Sequence, residues 1–380
     1  MKYRVAMAGG GTGGHLYPAL AVADELTKRR KSCEVLFIGT KKGIESRLLP
    51  RNKYPLVTIR ASALPRRPGW RQAKAIVNSL VGAVEAMSCL AKWKPHVVLG
   101  TGGYVSGPVL LAAKLLRLPM VIQEQNCIPG MTNRILCRWA DQVHIAFSES
   151  RKHFPRKDNL VLSGNPIRAS LLKGSRVAGL RKLRLSPGLF TVAVLGGSQG
   201  AHNLNVAAVQ AMEALKNESG IQFLLLTGNQ DYGWVRSKVK PMGARVSVRA
   251  FIMDMEAVYH CADLAVSRAG ASTISELAAI GVPAVLVPYP YAAHGHQEAN
   301  ARAMEERGVA RVLLESELNG PALAGIIREL VGSRSKLREM SITARSYARY
   351  EAAQTIADAL ENLAAARAER SGEREKCTEK

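Results

Sequence analysis

Cysteine pairs and aromatic residues are scarce in this sequence, and each shortage excludes a class of protein. The six cysteines are irregularly spaced without a Cys-x-x-Cys pair, so neither a zinc site nor a disulfide framework is expected. Aromatic residues make up 5% of the chain, and no basic helix interleaved with aromatic residues is available to stack on bases. Nucleic acid is therefore not an expected partner.

Long apolar runs are also missing. No stretch of about 18 apolar residues, the length that crosses a bilayer, is found. The first apolar run begins within three residues of the N-terminus, which leaves no room for a signal peptide. If this protein meets a membrane, we expect it to do so from the cytosolic surface.

Positive charge is what the sequence has in excess. Lys and Arg number 53 against 30 Asp and Glu, a formal net charge of +23. Such an excess favours nucleic acid, anionic lipid or a phosphorylated substrate as partner. The length of 380 residues, 47% of them hydrophobic, predicts two folded domains of roughly 150 to 190 residues each.

Three glycine-rich turns organise the chain. They cover residues 8–15, 99–107 and 195–201, and each follows an apolar run and precedes a helix-like stretch. Glycine lets backbone N–H groups approach an anion without an intervening Cβ, and the positive end of the following helix dipole points to the same place. The pattern favours binding of a diphosphate.

Apolar runs alternate with helix-like stretches twice along the chain. The runs cover residues 3–7, 35–38, 56–59, 97–99, 120–123, 143–146 and 160–162, and then 191–195, 223–227, 246–250, 264–266, 284–287 and 310–313. This alternation predicts an α/β protein with two Rossmann-like, doubly wound parallel sheets, at residues 1–165 and 166–345, that face a central cleft. A helix at 346–367 is expected to pack back on the first domain, and a disordered tail to follow at 368–380.

Two common phosphate-binding patterns fail at the first turn. Gly9, Gly11 and Gly14 satisfy G-x-G-x-x-G, but a dinucleotide also needs an acidic residue at the end of the second strand. That strand ends Phe37-Ile38-Gly39-Thr40-Lys41. A Walker loop is excluded because His15 stands where a Lys-Ser/Thr pair is required.

His15 and Glu276 each have a chemical and a structural interpretation. His15, at the start of a predicted helix, could accept a proton from a hydroxyl or merely cap that helix. Glu276 could accept hydrogen bonds from a ribose diol, or pair with Ser272 or Thr273 in a capping box. The residues alone leave the role of His15 open and favour the capping box for Glu276.

The sequence lacks the Asp-x-Asp pair that often holds a metal ion on a nucleotide-sugar diphosphate. The nearest candidate, Asp254-Met255-Glu256, is better interpreted as the start of a helix. We therefore expect backbone N–H groups, helix dipoles and Arg168 to meet the phosphate charge, with no metal ion and no cofactor.

Six motifs occur in a specific order. They are Gly10-Gly11-Thr12-Gly13-Gly14-His15, Thr101-Gly102-Gly103-Tyr104-Val105-Ser106-Gly107-Pro108, Gln123-Glu124-Gln125-Asn126, Gly164-Asn165-Pro166-Ile167-Arg168, Gly196-Gly197-Ser198-Gln199-Gly200-Ala201, and Ser267-Arg268-Ala269-Gly270 with Ser275-Glu276-Leu277. In combination they resemble the MurG family, bacterial transferases that add N-acetylglucosamine to the lipid-linked muramoyl-pentapeptide precursor of peptidoglycan.

The resemblance implies a GT-B fold and an inverting, metal-independent transfer. N-acetylglucosamine would pass from UDP-N-acetylglucosamine to the C4 hydroxyl of the muramoyl sugar on undecaprenyl diphosphate, giving lipid II for the cell wall. The first domain would bind this lipid-linked acceptor, and the second would bind the donor.

The resemblance also implies roles for individual residues. His15 would be the general base, and the substrate-binding residues would be Thr12, Gly13 and Gly14 at the sugar and diphosphate, Asn126 at the sugar, Arg168 and Ser198 at phosphate, Ile252 at uracil, Ala271, Ser272, Thr273, Ile274 and Ser275 around the nucleotide, Glu276 on the ribose, and Gln297 on sugar hydroxyls. A register shift of one residue in the loop before Gln297 would give its contact to His296.

A basic, Trp-containing stretch at residues 63–81 suggests a membrane contact. Its composition suits an element on an anionic leaflet, but taken alone it favours an ordinary loop that leads into a domain helix. Because the resemblance implies a polyprenyl acceptor, we expect a peripheral protein on the cytoplasmic face of the bacterial plasma membrane. The expected contacts with the anionic membrane surface are Arg66, Arg67, Trp70, Arg71, Lys74, Ile76 and Leu80.

Two other functions fit parts of the sequence. A UDP-N-acetylglucosamine 2-epimerase would use a similar donor site, but it needs further carboxylates and no membrane segment. A peripheral membrane module could bind nucleotide sugar without turnover, and replacement of His15 would then change nothing measurable.

Overall fold

The computed structural model describes residues 2–63, 69–197 and 200–378. The chain divides into two compact units, Met1–Arg168 with Arg349–Lys380, and Ala169–Ala348. The domain boundary predicted from the sequence, between residues 165 and 166, lies three residues before the boundary between Arg168 and Ala169.

The first unit contains a seven-stranded parallel sheet. Its strands are β1 (Tyr3–Ala8), β2 (Cys33–Gly39), β3 (Leu56–Thr58), β4 (Val97–Gly100), β5 (Met120–Glu124), β6 (Gln142–Ile145) and β7 (Leu160–Leu162), in the order β3-β2-β1-β4-β5-β6-β7. The connecting helices are α1 (Gly13–Arg29), α2 (Glu45–Leu48), α3 (Trp70–Trp93), α4 (Ser106–Leu115) and α5 (Met131–Leu136), with short 3-10 helices at Pro50–Asn52 and Ser148–His153.

The second unit carries a six-stranded parallel sheet. Its strands are β8 (Phe190–Leu195), β9 (Ile221–Leu226), β10 (Val246–Arg249), β11 (Leu264–Ser267), β12 (Ala284–Leu286) and β13 (Ala310–Val312), in the order β10-β9-β8-β11-β12-β13. The helices are α6 (Arg176–Leu183), α7 (His202–Ala214), α8 (Tyr232–Val239), α9 (Met255–Cys261), α10 (Ala271–Ile280), α11 (His296–Glu306), α12 (Gly320–Gly332) and α13 (Arg334–Tyr347), with 3-10 helices at Ala169–Lys173, Lys240–Arg245 and Ala293–Gly295.

The prediction of two doubly wound parallel sheets is confirmed. Every predicted strand is present, with ends that differ by at most two residues. Alternate residues of β1 lie in different cores: Val5 and Met7 pack on one face of the sheet, and Ala6 and Ala8 on the other. Both faces are therefore covered by helices, as a parallel sheet requires.

The last helix differs from its prediction. It is α14 (Ala352–Thr378), so it begins six residues later than expected and continues through most of the predicted tail. Glu, Arg and Lys are good helix formers, and an established helix extends at little cost. Ile356 and Leu360 of α14 pack in the core of the first unit beside Val5 and Leu20.

Helix α3 was not expected to be long and apolar enough to cross a membrane. Among the described residues it is the one helix whose length and composition would allow a span, with a mean hydropathy of 1.3 and 28% of the window buried. Counting consecutive apolar residues misses it because Asn78, Ser79 and Gly82 interrupt the run. Ala86 and Leu90 of α3 belong to the core of the first unit, and core helices of soluble proteins meet the same criterion.

Candidate active site

The first two glycine turns lie against each other in the first unit. They follow β1 and β4, which are paired so that Ala8 faces Gly100. Gly11 and Gly102 have φ values of 84° and 95°, a conformation that glycine adopts without strain. A Cβ on Gly9 would lie 1.8 Å from the hydroxyl oxygen of Thr101, so the close approach of the two turns itself requires glycine.

His15 is held between the carboxyl ends of two other strands. Its Nδ1 lies 3.1 Å from the carbonyl oxygen of Thr101 and 2.9 Å from Oε1 of Gln125. Both neighbours are acceptors, so the hydrogen-bond network assigns the proton of a neutral ring to Nδ1 and the lone pair to Nε2. The N-cap residue of α1 is Thr12, and the partners found for the His15 ring are therefore not those of a helix cap.

The carboxylate of Glu45 also holds the first glycine turn. Its side chain is fully buried. Oε2 accepts the backbone N–H of Gly11 at 3.0 Å, and Oε1 accepts the N–H and hydroxyl of Thr40 at 2.9 and 2.8 Å. A Cβ on Gly10 or Gly43 would lie within 2.8 Å of this carboxylate, so glycines make room for it.

Asn126 lies in a loop organised by Glu124. This buried carboxylate accepts the backbone and side-chain N–H groups of Asn126 at 2.9 and 3.1 Å, the N–H of Gly130 at 3.0 Å, and the amide of Asn133 at 2.8 Å. Four hydrogen bonds to one charged group fix the loop after β5. Asn126 is thereby held at the same sheet edge as His15.

Arg168 belongs to the first unit. Its guanidinium lies 5.0 Å from the ring centroid of Tyr17. Tyr17 is on α1, two residues after His15. Burial raises the pKa of Asp24, and a hydrogen bond from Tyr54 and the charge of Arg168 oppose that rise. The arginine expected at phosphate thus stacks on an aromatic ring beside the first turn.

The third glycine turn follows β8 in the second unit. Gly197 and Gly200 both have φ of 81°, and a Cβ on Gly200 would lie 2.4 Å from the carbonyl oxygen of Thr227. Helix α7 begins two residues later. Ser198, expected at the donor phosphate, lies outside the described residues.

The remaining predicted donor residues follow other strands of the same sheet. Helix α10 begins at Ala271 and carries Ser272, Thr273, Ile274, Ser275 and Glu276 in its first two turns. Ile252 is half-buried in the loop after β10, and Gln297 is in the first turn of α11. Because all six strands are parallel, these loops lie at one edge of the second sheet, with the third glycine turn.

Glu276 has a partner that the sequence did not reveal. The hydroxyl of Tyr259 on α9 donates to its Oε2 at 2.6 Å, and both residues are buried. The N-cap residue of α10 is Gly270, so neither Ser272 nor Thr273 occupies the position that a capping box requires. Asp254 does cap α9 by accepting the N–H of Ala257, in agreement with its interpretation as a helix start.

The loop before Gln297 is closed by a hydrogen bond between its two ends. Oε1 of Gln297 accepts the N–H of Tyr289 at 2.9 Å. Arg268 lies against the ring of Tyr289 and donates to both carboxylate oxygens of Glu315. Burial raises the pKa of Glu315, but hydrogen bonds from Arg268 and Asn203 outweigh burial and leave the pKa below its ordinary value.

Sequence reasoning assigned no role to Glu45, Gln125, Tyr259 or Glu315. Of these four residues, only Gln125 belongs to one of the six motifs, and nothing in the spacing of the four indicated their partners. Among residues 2–63, 69–197 and 200–378, no group of three or more His, Cys, Asp or Glu side chains is arranged to hold a metal ion.

Family models match both halves of the chain. Residues 5–145 match the glycosyltransferase family 28 N-terminal domain, and residues 191–360 match the glycosyltransferase family 28 C-terminal domain.

Two curated relatives carry the same name, UDP-N-acetylglucosamine–N-acetylmuramyl-(pentapeptide) pyrophosphoryl-undecaprenol N-acetylglucosamine transferase. The protein of Caldanaerobacter subterraneus subsp. tengcongensis is 41% identical over 357 residues, 93% of this chain and 98% of its own. That of Geobacter sulfurreducens is 41% identical over 356 residues, 93% of this chain and 97% of its own.

Solved structures agree with the fold. The crystal structure of Acinetobacter baumannii MurG aligns with a TM-score of 0.74 at 32% identity, covering 95% of this chain and 100% of that one. A UDP-N-acetylglucosamine 2-epimerase aligns with a TM-score of 0.65 at 13% identity, covering 94% and 95% of the two chains. The second likeness concerns the fold alone.

Proposed function

The chain belongs to glycosyltransferase family 28, and from that premise we propose that it transfers N-acetylglucosamine from UDP-N-acetylglucosamine to undecaprenyl-diphospho-muramoylpentapeptide. The product is lipid II, an intermediate of peptidoglycan synthesis. The observation that carries this conclusion is the match along both halves of the chain, together with 41% identity over 93% of the chain to a transferase of that name.

The chemistry is a single in-line displacement at the anomeric carbon. The C4 hydroxyl of the acceptor attacks opposite UDP, the C1–O bond to the diphosphate breaks, and UDP leaves with the bonding electrons. Nε2 of His15 takes the hydroxyl proton as general base, which the lone pair assigned to that nitrogen supports. The imidazolium then releases its proton to water.

Residues that follow the strands of the second sheet bind the donor. Glu276 accepts hydrogen bonds from the ribose, Ile252 meets uracil through its backbone, and Gln297 reaches sugar hydroxyls. Ala271 to Ser275, with Ser198, surround the nucleotide and its phosphates. The helix dipoles and N–H groups of turns rich in glycine stabilise the leaving diphosphate, and no step is assigned to a metal ion.

The first unit supplies the remaining contacts. Thr12, Gly13 and Gly14 approach the sugar and diphosphate through their backbone at the start of α1. Asn126, held by Glu124, contacts the sugar, and Arg168 meets phosphate charge. Fixed polar groups of this kind act by positioning the reactants and by stabilising charge as it develops.

Helix α3 is the proposed contact with the membrane. Trp70 is 70% exposed. Ile76, Leu80 and Val84, which are spaced four residues apart, are also exposed and so form one apolar face. The guanidinium of Arg71 and the ammonium of Lys74 lie 5.6 and 6.0 Å from the ring centroid of Trp70. Apolar and cationic groups so combined suit the surface of an anionic leaflet. Arg66 and Arg67 lie outside the described residues.

Release of UDP tests the transfer. With chelator present, UDP-N-acetylglucosamine and lipid-linked muramoyl-pentapeptide should give acceptor-dependent UDP release, and His15→Ala should lower its rate steeply to a small residual rate. His96→Ala is the matched control, because that imidazole accepts the N–H of Arg4 at 3.0 Å beside the amino end of β4. Folded protein that binds UDP but shows no acceptor-dependent release would overturn the transferase function and favour the epimerase.

Vesicle sedimentation tests the membrane contact. Ile76→Gln with Leu80→Gln should reduce binding to vesicles that contain anionic lipid and leave catalysis on a water-soluble acceptor analogue intact. Ile342→Gln replaces an exposed apolar residue of the second unit and should bind as the native chain does. Equal binding of all variants would contradict the role of α3.

A further inference from the structure

Gln125 lies against the ring of His15 and is itself held in one orientation. Only 2% of its surface is exposed. Its Nε2 donates to the carbonyl oxygens of Thr101 at 2.7 Å and Gln123 at 3.2 Å, and it also contacts Oε1 of Gln123. Three oxygen atoms thus surround the nitrogen, so a rotated amide would set its own oxygen against them. Oε1 of Gln125 therefore faces Nδ1 of His15.

The support for Gln125 continues away from the ring. Gln123 is fully buried and donates from Nε2 to Oδ1 of Asn165 at 3.2 Å. Asn133 donates to the carbonyl oxygen of Gln123 at 3.3 Å. A buried chain of amides therefore runs from His15 through Gln125 and Gln123 to Asn165. Buried networks of this kind fix side chains more rigidly than isolated hydrogen bonds do.

We propose that Gln125 is a positioning residue for the transfer, acting through His15; this inference rests on the proposed role of His15 as base. Oε1 of Gln125 accepts the Nδ1 proton, which keeps the lone pair on Nε2 and fixes the plane of the ring. The other acceptor of that proton, the carbonyl of Thr101, is shared with the amide of Gln125. Removal of Gln125 leaves the ring with one acceptor and without the amide that packs against it.

An amide serves this purpose differently from a carboxylate. Its oxygen accepts a hydrogen bond without carrying charge, so it orients the imidazole through the geometry of that hydrogen bond. The proton of the attacking hydroxyl then passes to Nε2. Orientation of a ring nitrogen by a hydrogen bond to the other nitrogen is a general property of functional histidines.

The tautomer of His15 can be observed in the native chain. In protein labelled with ¹⁵N-histidine, the His15 signals are identified by their loss in His15→Ala. At a pH where the ring is neutral, we expect Nδ1 to be the protonated nitrogen and Nε2 the unprotonated one. A proton found mainly on Nε2 would overturn the inference. This measurement requires no variant of Gln125, so it stands even if that variant does not fold.

A double-mutant cycle tests whether Gln125 acts through His15. Gln125→Met preserves approximate shape, removes both polar groups, and should lower kcat about 10- to 100-fold without changing the KM for UDP-N-acetylglucosamine. In the His15→Ala background the same change should have no further effect on kcat. The matched control is Gln222→Met, which removes a buried amide bonded to Ser186 and Thr191 in the second unit and should leave kcat unchanged.

The outcomes separate the two proposals. If His15→Ala retains the native kcat, the role of His15 as base fails. If His15→Ala keeps only a small residual rate and Gln125→Met transfers at the native rate, only the inference about Gln125 fails. An equal loss of kcat from Gln125→Met in both backgrounds also refutes it, because Gln125 would then act independently of His15.

Discussion

Replacement of Glu45 by Gln should loosen the first glycine turn. The fully buried carboxylate accepts hydrogen bonds from Gly11 and Thr40 at 2.8 to 3.0 Å. The Gln oxygen can keep the two bonds to Thr40, but its NH₂ group then opposes the N–H of Gly11. One hydrogen bond to a charged acceptor is lost, and a backbone donor is left unsatisfied. We expect the free energy of unfolding to fall by about 2 to 4 kcal/mol.

Denaturant unfolding and hydrogen exchange measure this effect. The unfolding transition of Glu45→Gln should move to lower denaturant, and the amide of Gly11 should exchange faster than in the native chain. The rate of transfer should fall, because Gly11 and His15 belong to the same glycine turn. Glu85→Gln is the matched control, since Glu85 pairs with Arg60 at the surface and should contribute less than about 1 kcal/mol. Equal stability and equal Gly11 exchange in Glu45→Gln and the native chain would refute the reasoning.

Three further predictions concern Tyr259, His144 and Arg268. Tyr259→Phe removes the 2.6 Å hydrogen bond to Glu276 and should weaken UDP binding about tenfold by calorimetry, with kcat nearly preserved; unchanged affinity would exclude an orienting role. Burial lowers the pKa of His144 from 6.5 to about 4, so only the unfolded chain gains this proton between those values. Acidification from pH 6.5 to 4 should remove about 3 kcal/mol of stability, and denaturant unfolding of His144→Gln should lack that contribution. Arg268→Lys cannot donate to both oxygens of Glu315 and should raise the KM for the donor, whereas an unchanged KM would show that this ion pair does not hold the loop before Gln297.

The local pattern was sufficient for the strands and turns. Each of β1, β4 and β8 is an apolar run that ends in a glycine turn, and these features depend on consecutive residues. His15 could be singled out for the same reason, since it lies at the start of the helix that follows such a turn. Glu276 could be singled out because it lies in the first two turns of the helix after β11. The local pattern could not decide their roles, because the partners of each side chain come from other elements.

The sequence by itself determined two parallel-sheet domains and the family to which the motifs belong, because alternating apolar runs and short motifs are local properties of the chain. Only the tertiary structure decided which groups meet. Gln125 is 110 residues from His15 and Tyr259 is 17 from Glu276. The strand order β1-β4-β5 brings the first two together, and helix packing the second pair. Glu45 reaches Gly11 across 34 residues, because β2 pairs with β1 and returns the chain to the same sheet edge.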